Sequence, residues 1–456
     1  MTAGQQDERH LVADPLLAGD LVGLAAPVSK WAHEVRNLDE LGTILRRAFH
    51  DATAPPPGPV FVSMRMSTLD EEGDAPVPVA SRIERRAVAA SLEELVVLLT
   101  EPAVGKLAIV VGDEVSASGA VGAVALLAEA LGSPVYASPL HSTGVFPAGP
   151  PLWAGMLLPA AAGIRAELAK YERVLLIGGR AFMVYPYTDG SPLPEGTELL
   201  QLSPDPASLG RTYPVLLGVA GDPRLTVEAL LPLVRAHADA RGAADAVEAG
   251  RARRTSDVAA LEATAQERYG PAPMDPMAVS HALVRSMPAD VAVVDEAITT
   301  GGYVRGFHHW TEPGRYFFCK GGGLGWAMPA SLGVSLAYGR DVPVLCVVGD
   351  GSAMYSPQAL WTAAHEQLPV IFAVVNNRQY LILKNNLRAM KGATVDTGRF
   401  VAMDIVDPPV DFVGLASSLG VPSVRVDHVG DIGDALGAAV AAGGPHLLEL
   451  PITAPA

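Results

Sequence analysis

Short runs of Val, Ile, Leu and Ala recur along this chain, each ended by small polar residues and followed by a stretch with helical spacing. Residues 107–111, 134–137, 174–177 and 198–202 read as buried strands, with a helix over 119–131 between the first two. The same alternation returns further on. A helix over 276–286 precedes strands at 291–294 and 316–319, then a glycine-rich turn and a helix over 329–337. Strand, helix and strand follow between 342 and 380, and again over 423–426, 430–442 and 446–450. Near the front, a helix over 38–52, the turn Pro55-Pro56-Pro57-Gly58 and a strand over 59–64 make a smaller set. Strands that alternate with helices predict parallel βαβ units, and continuous apolar strands predict sheets covered on both faces. The expected fold class is α/β, with doubly wound parallel sheets in three blocks: residues 1–70, 91–235 and 273–456. The acidic segment from residue 70 reads as one connection. The Ala-, Arg- and Glu-rich residues 236–272 read as a second, helical and solvated.

Two strands end in a way that burial alone does not explain. The first stops on Gly349-Asp350-Gly351-Ser352 and the second on Asn376-Asn377, with a helix over 357–367 between them. Right-handed crossover puts both ends on one edge of the sheet, where open α/β sheets bind ligands. Neighbouring strands lie about 4.8 Å apart, so Asp350 and Asn377 are expected to face each other. One anionic oxygen, one amide oxygen and a carbonyl just beyond suit Mg²⁺ rather than Zn²⁺. Gly351 and Ser352, ahead of a helix start, favour a phosphate. The pattern reads as a clamp for a magnesium-bound diphosphate. A dinucleotide loop is the competing reading of Gly321-Gly322-Gly323-Leu324-Gly325. It fails because Trp326 occupies the third-glycine place of that motif.

Composition narrows the classes. The chain has 456 residues, enough for about three domains, and 49% apolar against 18% charged residues argues for a well-buried fold. A net charge of −16 excludes the basic stripe of a nucleic-acid binder. No apolar run approaches about 20 residues, so no membrane span is expected. The N-terminus lacks the pattern of a signal peptide. The two cysteines, Cys319 and Cys346, are expected as small buried hydrophobes. Those features together lead to an expected cytoplasmic location.

The stretch from Gly349-Asp350-Gly351 to Asn376-Asn377 resembles the diphosphate-binding motif of thiamine-diphosphate-dependent enzymes. The wider wording, GDGSAMYSPQALWTAA followed by NN and Tyr380, is most similar to the benzoylformate decarboxylase branch. DEAITT (residues 295–300), FFCKGGGLGWAMPA (317–330), WAHE (31–34) and PPPGPVFVS (55–63) extend the resemblance over essentially the whole chain. It implies that Asp350, the Asn377 side chain and the Gln379 carbonyl bind Mg²⁺. It further implies that Gly349, Gly351, Ser352, Thr299 and Tyr380 surround the diphosphate end of thiamine diphosphate. The Gly322 carbonyl would receive the 4′-amino group of the cofactor. Leu324 would be the apolar wedge that bends the cofactor, in a dry pocket that favours decarboxylation. The three blocks become a remnant of the pyrimidine-binding domain, a central domain and the diphosphate-binding domain.

The resemblance also implies an activating glutamate and a nearby histidine upstream of TAGQQ, and here that segment directly follows Met1. Residues 1–69 are therefore expected not to make a complete sheet, and neither Glu34 nor Glu40 stands where the activator belongs. Other departures follow. Asp275 precedes Pro276 where a histidine is frequent, and His281 is expected as a surface or packing residue. Arg378 stands where glycine is usual, and Arg65 and Ser67 replace a proline and an aspartate. Ile382 and Asn386 occupy the place of the substrate's ring contacts. His308 and His309 are expected at the surface. The expected activity is decarboxylation of a small 2-oxo acid by a homo-oligomer, or by a hetero-oligomer whose partner chain supplies the glutamate. Acetolactate-synthase-type carboligation and a non-catalytic cofactor-binding subunit are the alternatives, and no flavin signature is present in residues 91–235.

Overall fold

The computed structural model describes residues 1–147, 149–308 and 314–454. The chain forms two compact units. One comprises Met1–Val88 with the short pieces Pro204–Ala207 and Ala220–Asp222, and the other holds the remainder.

In the smaller unit, β1 (Thr2–Gln5), β2 (Trp31–Val35) and β3 (Val60–Arg65) form a parallel sheet in the order β1-β3-β2. This sheet has three strands, against six in each of the other two. β1 and β2 are missed by a hydrophobic scan because each carries polar residues on a half-exposed strand. The helix Leu38–Thr53 is started by Asn37, whose side chain accepts the N–H of Glu40 at 3.1 Å. It buries Ile44 and Ala48 against Val35, Val60 and Val62.

The larger unit contains two six-stranded parallel sheets. The first comprises β4 (Leu107–Val111), β5 (Val135–Ala137), β6 (Trp153–Met156), β7 (Arg173–Ile177), β8 (Glu198–Ser203) and β9 (Leu217–Ala220), in the order β6-β5-β4-β7-β8-β9. Two helices follow, Pro223–His237 and the 27-residue Ala240–Gln266. The second comprises β10 (Ala292–Glu296), β11 (Tyr316–Phe318), β12 (Val344–Gly349), β13 (Val370–Asn376), β14 (Ser423–Arg425) and β15 (His446–Pro451), in the order β11-β10-β12-β13-β15-β14.

Alternation along these strands feeds two cores. Val293, Leu345, Val347, Ile371, Ala373 and Val375 pack on one face of the second sheet. Ala292, Val294, Cys346, Val348, Phe372 and Val374 pack on the other. Burial on both faces explains why these strands are continuous apolar runs. Cys346 is buried as expected, whereas Cys319 is only half-buried. No helix among the described residues is long and apolar enough to cross a membrane.

Candidate active site at the edge of the second sheet

β12 and β13 are hydrogen-bonded neighbours, and Gly349 is in register with Val375. The two strands end side by side, so Asp350 and the Asn376-Asn377 pair emerge at one edge. A four-residue helix, Asp350–Ala353, begins at once, so Gly351 and Ser352 lie inside a helical turn rather than ahead of one.

Asp350 is 2% exposed. Burial pushes its carboxyl up to about 6, against the opposing pull of the N–H groups of Gly351, Arg378 and Gln379. Its Oδ2 is buried and has no hydrogen-bond partner. Asn376 is turned inward, where its amide donates to Glu449 at 2.8 Å. Asn377, half-buried, holds the following turn by accepting the Gln379 N–H at 3.0 Å. The Gln379 carbonyl accepts the N–H of Leu381 at 2.9 Å, which leaves its second lone pair for another partner. The residue between them, Arg378, is left-handed at φ +57°. This backbone costs residues other than glycine about 1–2 kcal/mol.

Among the described residues, no three His, Cys, Asp or Glu side chains gather as a metal cluster. The donors available at this edge are therefore one carboxylate with amide and carbonyl oxygens. That set is hard, oxygen-only and weakly charged, which fits a hard cation such as Mg²⁺.

Two further segments border the edge. The turn after β10 brings Thr299, half-buried, and Thr300, whose hydroxyl is buried without a partner. The glycine-rich loop after β11 exposes Gly321, Gly322 and Gly323, and a β-carbon added to any of them would meet nothing within 4 Å. Gly322 is left-handed at φ +67°. Leu324 is 37% exposed beside this open space, an apolar side chain with one face uncovered. The loop is tied to the first sheet at its start: Lys320 forms an ion pair with Asp113 at 2.7 Å, and the Phe318 N–H reaches the Ser142 carbonyl at 2.9 Å.

Other residues singled out in the sequence have the following surroundings. His281 is buried as a packing residue between Glu262, at 2.7 Å from Nε2, and the Tyr269 hydroxyl, at 2.9 Å from Nδ1. His308, expected at the surface, is instead 7% exposed with its ring against Tyr316. The helix before it turns that position into the core. His309 lies outside the described residues. In the smaller unit, Glu34 is engaged by Arg65 at 2.7 Å and by Ser63 at 3.2 Å. Asn386 donates to the Tyr185 hydroxyl at 2.9 Å.

Residues 299–450 match the C-terminal TPP binding domain of thiamine pyrophosphate enzymes, and residues 98–230 match the central domain. The benzoylformate decarboxylase of Pseudomonas aeruginosa is 31% identical over 459 residues, covering 99% of this chain and 81% of that protein. The chain belongs to the thiamine pyrophosphate enzyme family. Other thiamine pyrophosphate enzymes are similar at lower identity, among them the acetolactate synthase isozyme 3 large subunit of Escherichia coli. It is 26% identical over 428 residues, 90% of this chain and 70% of that one. The crystal structure of benzoylformate decarboxylase from Polynucleobacter necessarius superposes with a TM-score of 0.86 at 25% identity. That match covers all of this chain and 82% of the other.

Within this thiamine pyrophosphate enzyme, one buried acid was overlooked in the sequence. Glu296 lies in β10, opposite Val348 of β12, and is 1% exposed. Its signal was present: an apolar strand that ends on Asp295-Glu296 repeats the pattern of the strand that ends before Asp350.

Proposed function

We propose that this chain carries the thiamine diphosphate and Mg²⁺ site of a 2-oxo acid decarboxylase of the benzoylformate decarboxylase type. The observation that carries this reading is Asp350 Oδ2, buried at the sheet edge with no partner. An unpaired buried carboxylate oxygen is costly, and a cation beside it offsets that cost. The Asp350 carboxylate, the Asn377 side-chain oxygen and the Gln379 carbonyl would hold Mg²⁺. Gly349, Gly351, Ser352 and Thr299 would receive the diphosphate, with Tyr380 alongside. The Gly322 carbonyl would accept the 4′-amino group, and Leu324 would support the cofactor from its apolar side.

Bound thiamine diphosphate supplies a site that accepts the electron pair released when a 2-oxo acid loses CO₂. The chain's own work is to hold the diphosphate, orient the rest of the cofactor and keep water from its apolar face. Arg65 and Ser63 already engage Glu34, so no glutamate of this sequence is assigned to activating the cofactor ring. In this reading that acid comes from a partner chain.

Titration calorimetry with thiamine diphosphate tests the site: binding is expected with Mg²⁺ and lost with EDTA. Release of CO₂ from benzoylformate is then measured for the chain alone and mixed with a polypeptide that carries a pyrimidine-domain glutamate. Absence of Mg²⁺-dependent binding defeats the proposal. Binding without CO₂ release in any mixture would instead make the chain a cofactor-holding subunit. Similarity to an acetolactate synthase over 90% of the chain supports a second reading, carboligation. Product analysis with pyruvate distinguishes the two: acetolactate for the ligase, acetaldehyde for the decarboxylase.

A further inference from the structure

The glycine-rich loop is tied to the first sheet at its start, through Lys320 and Phe318, and its other end is held at a second point. Glu296 Oε1 accepts the Gly325 N–H at 2.6 Å, and Oε2 accepts the Ala327 N–H at 2.5 Å. The Gly325 carbonyl is held separately by the Ser356 hydroxyl at 2.6 Å. Gly325 is gripped on both of its backbone polar groups, at φ +87°. A β-carbon there would come within 2.5 Å of the Tyr355 Cβ.

We propose that Glu296 is a positioning residue: its buried carboxylate pins the Gly325 end of the loop to the sheet edge and thereby sets the stance of Gly322 and Leu324. The inference rests on the thiamine diphosphate reading above. Register supports it, because Glu296 is paired with Val348 and Asp350 lies two residues beyond Val348 on the same neighbouring strand. One sheet edge therefore carries both the acid that would hold the metal and the acid that holds the loop. The chemistry is specific to a carboxylate. Two backbone N–H donors converge on it, one on each oxygen, and charge-assisted hydrogen bonds of this kind are about twice as strong as neutral ones. An amide in its place turns an NH₂ group toward backbone N–H groups and loses at least one bond. The loop's far side is open, as its three exposed glycines show, so nothing else on that side would restore its position.

The test uses the full chain with Glu296→Gln, and Ser356→Ala as a second variant that frees the opposite side of Gly325. Two probes are titrated in the presence of Mg²⁺: thiamine diphosphate, and inorganic diphosphate, which lacks the part that meets Gly322 and Leu324. Amide hydrogen exchange at residues 325–327 is followed alongside. The expected result is faster exchange at Gly325 and Ala327 and a loss of about tenfold or more in thiamine diphosphate affinity. Inorganic diphosphate affinity should stay within about twofold. Ser356→Ala should shift exchange and thiamine diphosphate affinity the same way by a smaller factor, and it carries the test if Glu296→Gln does not fold. Unchanged exchange at Gly325 and Ala327, or equal losses for both probes, would overturn the proposal. If the unaltered chain binds neither probe, the thiamine diphosphate reading fails instead, while the exchange data still judge the clamp.

Discussion

The ring of Tyr380 covers Gly351 so closely that a β-carbon on Gly351 would lie 2.5 Å from the Tyr380 Cε1. The helical turn after β12 and the turn after β13 are thus fitted to each other at a residue with no side chain.

Gly351→Ala should push the ring away and cost about 1–3 kcal/mol, the usual range for overpacking. Urea unfolding measures the loss. The double variant with Tyr380→Ala should lose less than the sum of the single changes, because the clash disappears with the ring. Strict additivity would show that the two residues do not constrain each other.

Asp350→Asn separates the metal from the fold. Burial raises the Asp350 carboxyl from 3.8 to about 6, so the folded state binds the proton more tightly than the unfolded chain. The metal-free protein should therefore lose stability as pH rises from about 4 through about 6, and the Asn variant should lack this component. Mg²⁺ with thiamine diphosphate at 100 times Kd should stabilise the unaltered chain by about 2.7 kcal/mol and leave the variant unaffected. Thermal melts with and without EDTA check both expectations.

His141 predicts a pH dependence of its own. It is 4% exposed, and Nδ1 donates to the Thr143 carbonyl at 2.6 Å. Burial, with the Arg305 charge second, lowers it from 6.5 to about 4. Its folded value lies below its unfolded value, so its contribution is complete above about pH 6.5 and is lost as pH falls to about 4. The loss is on the order of 3 kcal/mol. The difference in urea stability between the unaltered chain and His141→Gln should shrink or change sign over that window. A pH-independent difference would refute the assignment.

Arg378→Gly relieves a left-handed residue at φ +57°. The relief is about 1–2 kcal/mol, reduced by the extra freedom glycine gives the unfolded chain. Unfolding should show an unchanged or higher stability, by up to about 1 kcal/mol. Arg378→Val should be destabilised, because a β-branched side chain tolerates that backbone worst.

The second sheet could be read almost strand by strand, because strands buried on both faces leave unbroken apolar runs such as those of β12 and β13. The two polar strand ends could be read for the same reason: aspartate and asparagine stand out after such runs. β1 and β2 could not, since half-exposed strands with polar residues carry no period strong enough to separate them from turns. Glu296 was overlooked because its role depends on Gly325 and Ala327, about thirty positions away, and only the fold brings those N–H groups to it. His308 failed differently. A histidine without a metal-like spacing reads as a surface residue, although an imidazole packs as well against a tyrosine ring in the core.

The Lys320–Asp113 ion pair and the Phe318–Ser142 hydrogen bond set a condition on recombination between relatives. A chimera that joins residues 91–235 of one parent to residues 273–456 of another inherits the two halves of this tie from different lineages. Crossovers that keep Asp113 with Lys320 should preserve the side-chain part of the loop's starting anchor. Those that separate them must rebuild it, however well each half folds.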